Sequence, residues 1–475
     1  MPAKFKIIIS DLHLGAGRES EGNLLEDFGS DQEFPTFLEE LAAESSRDGA
    51  EVELTVNGDA FELLQVPQVD TYDPLILYLP EDYHSSSEED SVRKIDIIID
   101  GHRSFFDALG RFIQASPPRR YVTFIKGNHD LNLHWIGVQD RIRQAVGATG
   151  RREALLTFEE RRISREGIYV EHGNQYAEAV NRIDDMEEPH DHDNPGQLAI
   201  PLGSYFVTDV FNDVERERYW IDGVKPVTSL VWYALAYDFP FAARTIAKLI
   251  HALPGILREG VLYAPGPADE GLDERQALAR RLEDPAQVEE LAARYKADEA
   301  FRAQFNADVA NLLASPPERL EEGAVPGYEE MPMPGISDPV AMGDQIRERV
   351  NSSLFEMAVK RAAEEGARLV VFGHTHDAGV ELLPGGAVYI NSGTWTWRGD
   401  FTGAGKRTWR DLFEHPERFT GDRQLSYVRV DYDAQGQPVG RLLAYELLPA
   451  PEEEPPETPP SFWERLLAWF RDLFA

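Results

Sequence analysis

Gly127-Asn128-His129-Asp130 is the stretch on which the reading of this chain turns. It ends the run Tyr121-Val122-Thr123-Phe124-Ile125-Lys126, whose β-branched and aromatic residues mark a strand, and the glycine that follows permits a sharp turn. Loops at the carboxyl ends of strands in an open α/β sheet are where ligands and chemistry collect. Asn128 can offer a neutral carbonyl oxygen to a metal, His129 can carry a proton, and Asp130 can hold that imidazole in one tautomer. Four residues alone also read as a polar turn. The other strands break the tie.

Phe5-Lys6-Ile7-Ile8-Ile9-Ser10 reads as a strand and runs into Asp11-Leu12-His13. An Asp and a His two apart on extended backbone point the same way, so both can reach one ion. Residues 52–57 form a second apolar run that stops at Gly58-Asp59. Gly167-Ile168-Tyr169-Val170-Glu171 delivers His172 just before a glycine, and Arg368-Leu369-Val370-Val371-Phe372 delivers Gly373-His374-Thr375-His376. Helical spacing predicts helices at 34–44, 91–115, 134–145 and 339–365, with further strands at 387–391, 425–431 and 439–446. Strand, helix, strand with acidic residues at the strand ends is the grammar of a parallel α/β sheet. Residues 67–90, rich in Pro, Ser and acid, read as an irregular loop.

Five strand ends therefore carry oxygen or imidazole donors beside glycine turns: Asp11/His13, Asp59, Asn128/His129, His172 and His374/His376. The chain has no cysteine, so disulfides and thiolate metal sites are excluded. Imidazole and carboxylate donors without thiolate suit Mn, Fe or Zn. Asp59 has two oxygens and can bridge two such ions. Two close ions clamp a phosphoryl group, make a hydroxide from the water they share, and stabilise the charge of in-line attack. His129 stands free to give a proton to the departing oxygen.

Taken in order, Asp11-Leu12-His13, Gly58-Asp59, Gly127-Asn128-His129-Asp130, His172 and Gly373-His374-Thr375-His376 resemble the motif set of the calcineurin-like metallophosphoesterases. The resemblance covers residues 1–183 and 343–447 as two halves of a catalytic domain. It implies a two-sheet αββα sandwich with two divalent metal ions. One would be held by Asp11, His13, Asp59 and His376. The other would be held by Asp59, Asn128, His172 and His374, with Asp59 bridging. His129 would be the acid or transition-state stabiliser, with Asp130 as its partner. Asn391-Ser392-Gly393-Thr394 resembles the small-residue loop that follows the H-x-H motif, which sets Asn391 beside Asn128 and His129 against the substrate. The implied activity is hydrolysis of phosphate ester or diphosphate bonds by a metal-bridging hydroxide.

Ser10-Asp11-Leu12-His13-Leu14 is also similar to the opening of the bacterial UDP-2,3-diacylglucosamine pyrophosphohydrolases, which place a helical lid before H-x-H. That family carries Arg at the position of His129, and its lid is far shorter than 184–342. The alternative it implies is a lipid-linked nucleotide-sugar pyrophosphohydrolase at a membrane surface. A non-catalytic scaffold of the same fold, like the metallophosphoesterase-like subunit of retromer, is the reading from another class. Lost ligands would mark it, and here every one is present.

Residues 184–342 trade strand signals for helical patterns, with Trp220, Trp232, Phe239 and Phe241 among many aromatics in the first half. They read as a helical insertion or lid whose apolar stripes face a core. Residues 448–460, rich in Pro and Glu, read as a linker, and 461–475 as an amphipathic helix suited to peripheral membrane contact or to docking on protein. The formal net charge of −37 repels polyanions and argues against a nuclease or other nucleic-acid partner, and the resemblance implies a phosphorylated small molecule or lipid as the substrate. The opening shows no long apolar core of a signal peptide, so a cytoplasmic location, in part peripheral to the membrane, is the expectation. His190-Asp191-His192-Asp193 reads as a solvated acidic loop. His84, His102, His134, His251 and His415 read as structural or surface residues.

Overall fold

Alternation of apolar side chains along the strands builds two sheets around a shared interior. The computed structural model describes residues 4–115, 117–225, 227–259, 276, 278–314, 339–421 and 423–446. The chain divides into two units, Met1–Ala444 and Tyr445–Ala475. The expected linker at 448–460 and terminal helix at 461–475 lie outside the described residues.

In chain order the strands are β1 (Lys4–Ile9), β2 (Glu51–Asn57), β3 (Arg120–Ile125), β4 (Leu156–Glu159), β5 (Arg162–Arg165), β6 (Ile168–Glu171) and β7 (Val224–Lys225). Then follow β8 (Leu369–Phe372), β9 (Gly379–Leu382), β10 (Val388–Asn391), β11 (Gly399–Asp400), β12 (Ser426–Tyr432) and β13 (Pro438–Ala444). One sheet runs β13-β12-β1-β2-β3-β4 and the other β5-β6-β8-β10-β9. Strands β1 to β4 are parallel, as are β6, β8 and β10. Antiparallel partners β12, β5 and β9 flank them, so both sheets are mixed. The sequence reading missed β9 and the short β7/β11 pair.

A period of two sorts the side chains. Ile8, Ile125, Val428 and Val430 of the first sheet meet Ile168, Val170, Leu369, Val371 and Ile390 of the second in one buried cluster. The alternate residues of the second sheet, Tyr169, Val370, Phe372 and Tyr389, pack on Leu354 and Ala358 of the helix Pro339–Glu365. On the outer face of the first sheet, Phe61 stacks between Phe124 of β3 and Phe106 of the helix Arg103–Gln114. The architecture is thus mixed α/β, with two sheets face to face and helices outside.

One long helix was expected at 91–115. The structure has two, Glu88–Gly101 and Arg103–Gln114, broken at His102 (φ −118°, ψ 45°). The break has a packing cause. A Cβ at Gly101 would lie 2.2 Å from the Ala16 carbonyl oxygen, and the His102 ring is caught between Glu26 and Asp31 at 3.2 Å each.

In the helical segment, Trp220, Trp232, Phe239 and Phe241 are buried in a core of their own, which also takes in Phe401, Trp409 and Leu412 from beyond β11. Phe206 and Tyr219 are exposed. No helix among the described residues is long and apolar enough to cross a membrane.

Candidate metal centre

The predicted donors meet because the strand-end loops are sewn to one another. Asp11 N–H donates to Gly58 O, and the Leu12 and His13 amides both donate to Asp59 O at 2.9 and 3.0 Å. Gly373 N–H donates to His172 O at 2.7 Å, and the His374 amide donates to both carboxylate oxygens of Asp11. The backbone is strained where it does this. Asp11, His13, Asp59, His374 and His376 all have positive φ, between 49° and 71°. They are five of the eight non-glycine residues with positive φ among those described. Each such conformation costs about 1–3 kcal/mol and persists only where the surroundings impose it, which is the habit of functional sites.

Two glycines are there for proximity. A Cβ on Gly58 (φ +80°) would fall 2.3 Å from His172 Nδ1, and one on Gly127 would fall 2.0 Å from Asp59 Oδ1. Any side chain would push the donors apart.

The donors form two buried groups, Asp11/His13/His376 and Asp59/His172/His374, with the donor atoms of each group within 4.8 Å of one another. Asp59 joins them: its Oδ2 lies 3.0 Å from His172 Nε2 and 4.0 Å from His13 Nε2. His13 Nε2 and His376 Nε2 are 3.2 Å apart. The fit to cations rests on what these atoms lack. Asn128 Oδ1, His172 Nε2, His374 Nδ1 and His376 Nδ1 are buried without a hydrogen-bond partner. His172 Nε2 is near Asp59 Oδ2 but not aligned with it for a hydrogen bond. Each unsatisfied buried polar atom costs about 1–3 kcal/mol, and metal ions would satisfy Asn128 Oδ1, His172 Nε2 and His374 Nδ1, whereas His376 turns its Nε2 toward Asp11 and His13 and its Nδ1 away. These buried His, Asp and Asn groups can therefore hold metal ions.

The ring nitrogens of His13, His172 and His374 that face away are tied down, as metal-ligating histidines require, and that of His376 is not. His172 Nδ1 donates to Asn57 O at 2.9 Å. Glu62 Oε2 accepts from His13 Nδ1 at 2.7 Å and from His129 Nδ1 at 2.6 Å. His374 Nε2 meets Glu178 Oε2 at 2.9 Å, which leaves Nδ1 for an ion. Glu62 and Glu178 escaped the sequence reading. Glu62 had one signal, a lone charge inside the buried run Ala60-Phe61-Glu62-Leu63-Leu64. Glu178 had none.

Electrostatics follow from burial set against pairing. Burial raises Glu62, but the imidazoles of His129 and His13 hold it at about 2. Burial opposes charge on His129 too, yet Glu62 and then Asp59 push it up to about 10. Asp59 is held well below the carboxylate range, against burial, by His172 and His129. His376 falls to about 4 chiefly through burial, which keeps the lone pair of one ring nitrogen available.

Two expected roles are corrected. Asp130 does not orient His129: its Oδ1 accepts from Gly127 N–H at 2.6 Å and its Oδ2 from Ala60 N–H at 2.8 Å. It braces the two turns, and Glu62 takes the partnership with His129. Asn391 does not face outward to a substrate. Its amide donates to Gly373 O and Thr375 Oγ1 and its carbonyl accepts from Gly393 N–H, so it clamps the H-x-H loop.

The helical segment reaches this neighbourhood through Glu215, which was not foreseen. Glu215 is fully buried, accepts from Gln65, and has its second oxygen without a partner. Burial and the adjacent Asp27 carboxylate hold it well above the usual range.

No family model matches the chain, and no curated protein is significantly similar to it.

Proposed function

We propose that this chain is a dinuclear metal-dependent phosphoesterase of the calcineurin-like metallophosphoesterase kind, hydrolysing phosphate ester or diphosphate bonds. The observation that carries the reading is the position of Asp59, with one carboxylate between the two histidine groups, where a ligand shared by two ions belongs. Two mixed sheets face to face, with the donors at their strand ends, are compatible with the sandwich this reading requires and support it. Asp11, His13, Asp59 and His376 would hold one ion, and Asp59, Asn128, His172 and His374 the other; the nitrogen and oxygen donors suit Mn, Fe or Zn. Bound there, such a pair supplies Lewis-acid polarisation of a phosphoryl group and a nucleophile from water near neutral pH.

The chain's own residues supply the rest. His129 spends Nδ1 on Glu62, which leaves Nε2 to meet a phosphoryl or leaving-group oxygen. A positive charge there, paired with Glu62, would favour the negative charge that builds in transfer. It is the candidate catalytic residue, and Glu62 is its positioning residue. Asp130 and Asn391 hold the turns in register.

Hydrolysis of an aryl phosphate ester with Mn supplied tests the reading. Asp59→Asn and His129→Ala should each fall to background, and full activity in both rejects the assignment. A metal-supplemented screen of monoesters, diesters, nucleotides and nucleotide sugars then identifies the substrate class.

A further inference from the structure

A second set of donors lies apart from the strand-end groups. The short helical turn Leu131–His134 ends in His134, and residues 183–200 fold back over it. Residues 190–193 within it were expected to be a solvated acidic loop, and the structure gives the segment a built form. His190 bridges Leu198 in antiparallel fashion, Ala199 N–H donates to Pro189 O at 2.8 Å, and Asp191 N–H donates to Gln197 O at 3.0 Å. Leu131, Ile183, Met186 and Leu198 form a small core beneath it, and Leu198 N–H donates to Ser86 Oγ at 2.9 Å. His192 and Asp193 point wholly into solvent, so the expected His-Asp-His-Asp string does not act as a unit.

His190 instead turns in and meets His134. Their Nε2 atoms are 3.3 Å apart, and Glu188 Oε2 lies 3.8 Å from His190 Nε2. The three donor atoms converge within 4.8 Å. Two imidazole nitrogens bound at about 2.0–2.1 Å to one tetrahedral ion are separated by about 3.3–3.4 Å. The His134–His190 gap is that edge, and it nearly equals the 3.2 Å between His13 and His376 in the strand-end centre. Behind His134, Glu160 Oε2 stands 3.5 Å from Nδ1, on the side where a ligating histidine keeps its outer partner. The nearest cation, the Lys126 ammonium 3.4 Å from the same Nδ1, is itself paired with Glu160.

We propose that His134, Glu188 and His190 form a further binding site for one zinc-class divalent ion, which clips the 183–200 segment onto the turn that follows the His129 loop. Two imidazoles and one carboxylate suit zinc, with the remaining position open to water because Glu188 is exposed. The site shares no residue with the strand-end centre, so it stands whether or not that centre is catalytic.

The alternative occupant of the gap is a proton passed between the two rings, and metal counting separates the two. The full chain is loaded with zinc, freed of excess metal and analysed for zinc per chain. His190→Gln and, separately, His134→Gln should each lower the count by one equivalent, in the wild-type background and in an Asp59→Asn background alike. The 183–200 segment should then be cut faster by protease, while circular dichroism stays unchanged. Cobalt loaded in place of zinc should show the intense visible bands of a four-coordinate site and lose them in His190→Gln. Equal zinc counts with and without the two histidines would overturn the proposal in favour of the shared proton. A loss of zinc in Asp59→Asn with none in His190→Gln would overturn it while leaving the phosphoesterase reading intact.

Discussion

The strand-end centre and the His134/Glu188/His190 cluster use similar donors, held in different ways. In the first, the donors sit on loops bonded to one another across two sheets, five of them on left-handed backbone and nearly all out of solvent. The outer nitrogens of His13, His374 and His172 are pinned by Glu62, Glu178 and the Asn57 carbonyl. In the second, the His190 side chain is 35% exposed and that of Glu188 75%, and the outer partner of His134 is a surface glutamate at 3.5 Å. The contrast teaches that donor type marks a capacity for metal, whereas burial and outer-shell bonding decide how tightly geometry is enforced. A pre-organised cage can do chemistry; a half-open clip can hold a loop.

The largest test of that contrast is Asp59→Asn. Loss of the shared carboxylate should take hydrolysis to background, whereas His190→Gln should leave the rate within twofold. Equal losses in the two variants would erase the distinction.

Next in size is Glu62→Gln, which keeps shape but weakens the hold on His13 and His129. Outer-shell changes of this kind cost about 10–100-fold in metal affinity or activity. Glu160→Gln, behind His134, should cost zinc binding at the clip less than tenfold. If the two glutamates proved equally important, outer-shell control would not be what separates the sites.

Gly127→Ala asks whether the cage tolerates any slack. Its Cβ would collide with Asp59 Oδ1, so overpacking should lower stability by about 1–3 kcal/mol in urea unfolding and reduce metal occupancy. Gly421, with nothing within 4 Å, is the control, and Gly421→Ala should change stability by less than about 0.5 kcal/mol.

A pH-dependent effect belongs to a histidine outside both clusters. Burial opposes charge on His102, but Glu26 and Asp31 raise it to about 10. With the folded value above the unfolded 6.5, its stabilising contribution is fully present below pH 6.5 and is lost as pH rises through about 10. The melting temperature should therefore fall across that window in the wild type and fall less in His102→Gln. Equal slopes would show that the ion pairs with Glu26 and Asp31 do not contribute.

The donors at the strand ends were legible because period-two apolar runs stop at glycine with a His, Asp or Asn next in line, a local pattern at 11–13, 58–59, 127–130, 172–173 and 373–376. Their supports were not. Glu62 lies 49 residues from His13 and 67 from His129, and Glu178 lies 196 from His374. No local pattern joins such pairs. Asp130 misled for the opposite reason. Adjacency suggested a partner for His129, while the turn aims its carboxylate at the amides of Gly127 and Ala60. The break at His102 was hidden because Gly101 makes way for Ala16, far off in the chain.

The amino-acid sequence by itself determined which chemistry is on offer: nitrogen and oxygen donors, no thiolate, each at the end of a strand. The tertiary structure alone decided which donors share a site, because strand order sets β1 beside β2 and β6 beside β8 and so fixes which loops can touch. It also decided that Asp59 lies between two histidine groups, and that His190 leaves its own acidic string to meet His134. Bonding depends on distance in space, and only packing turns separation along a chain into separation in space.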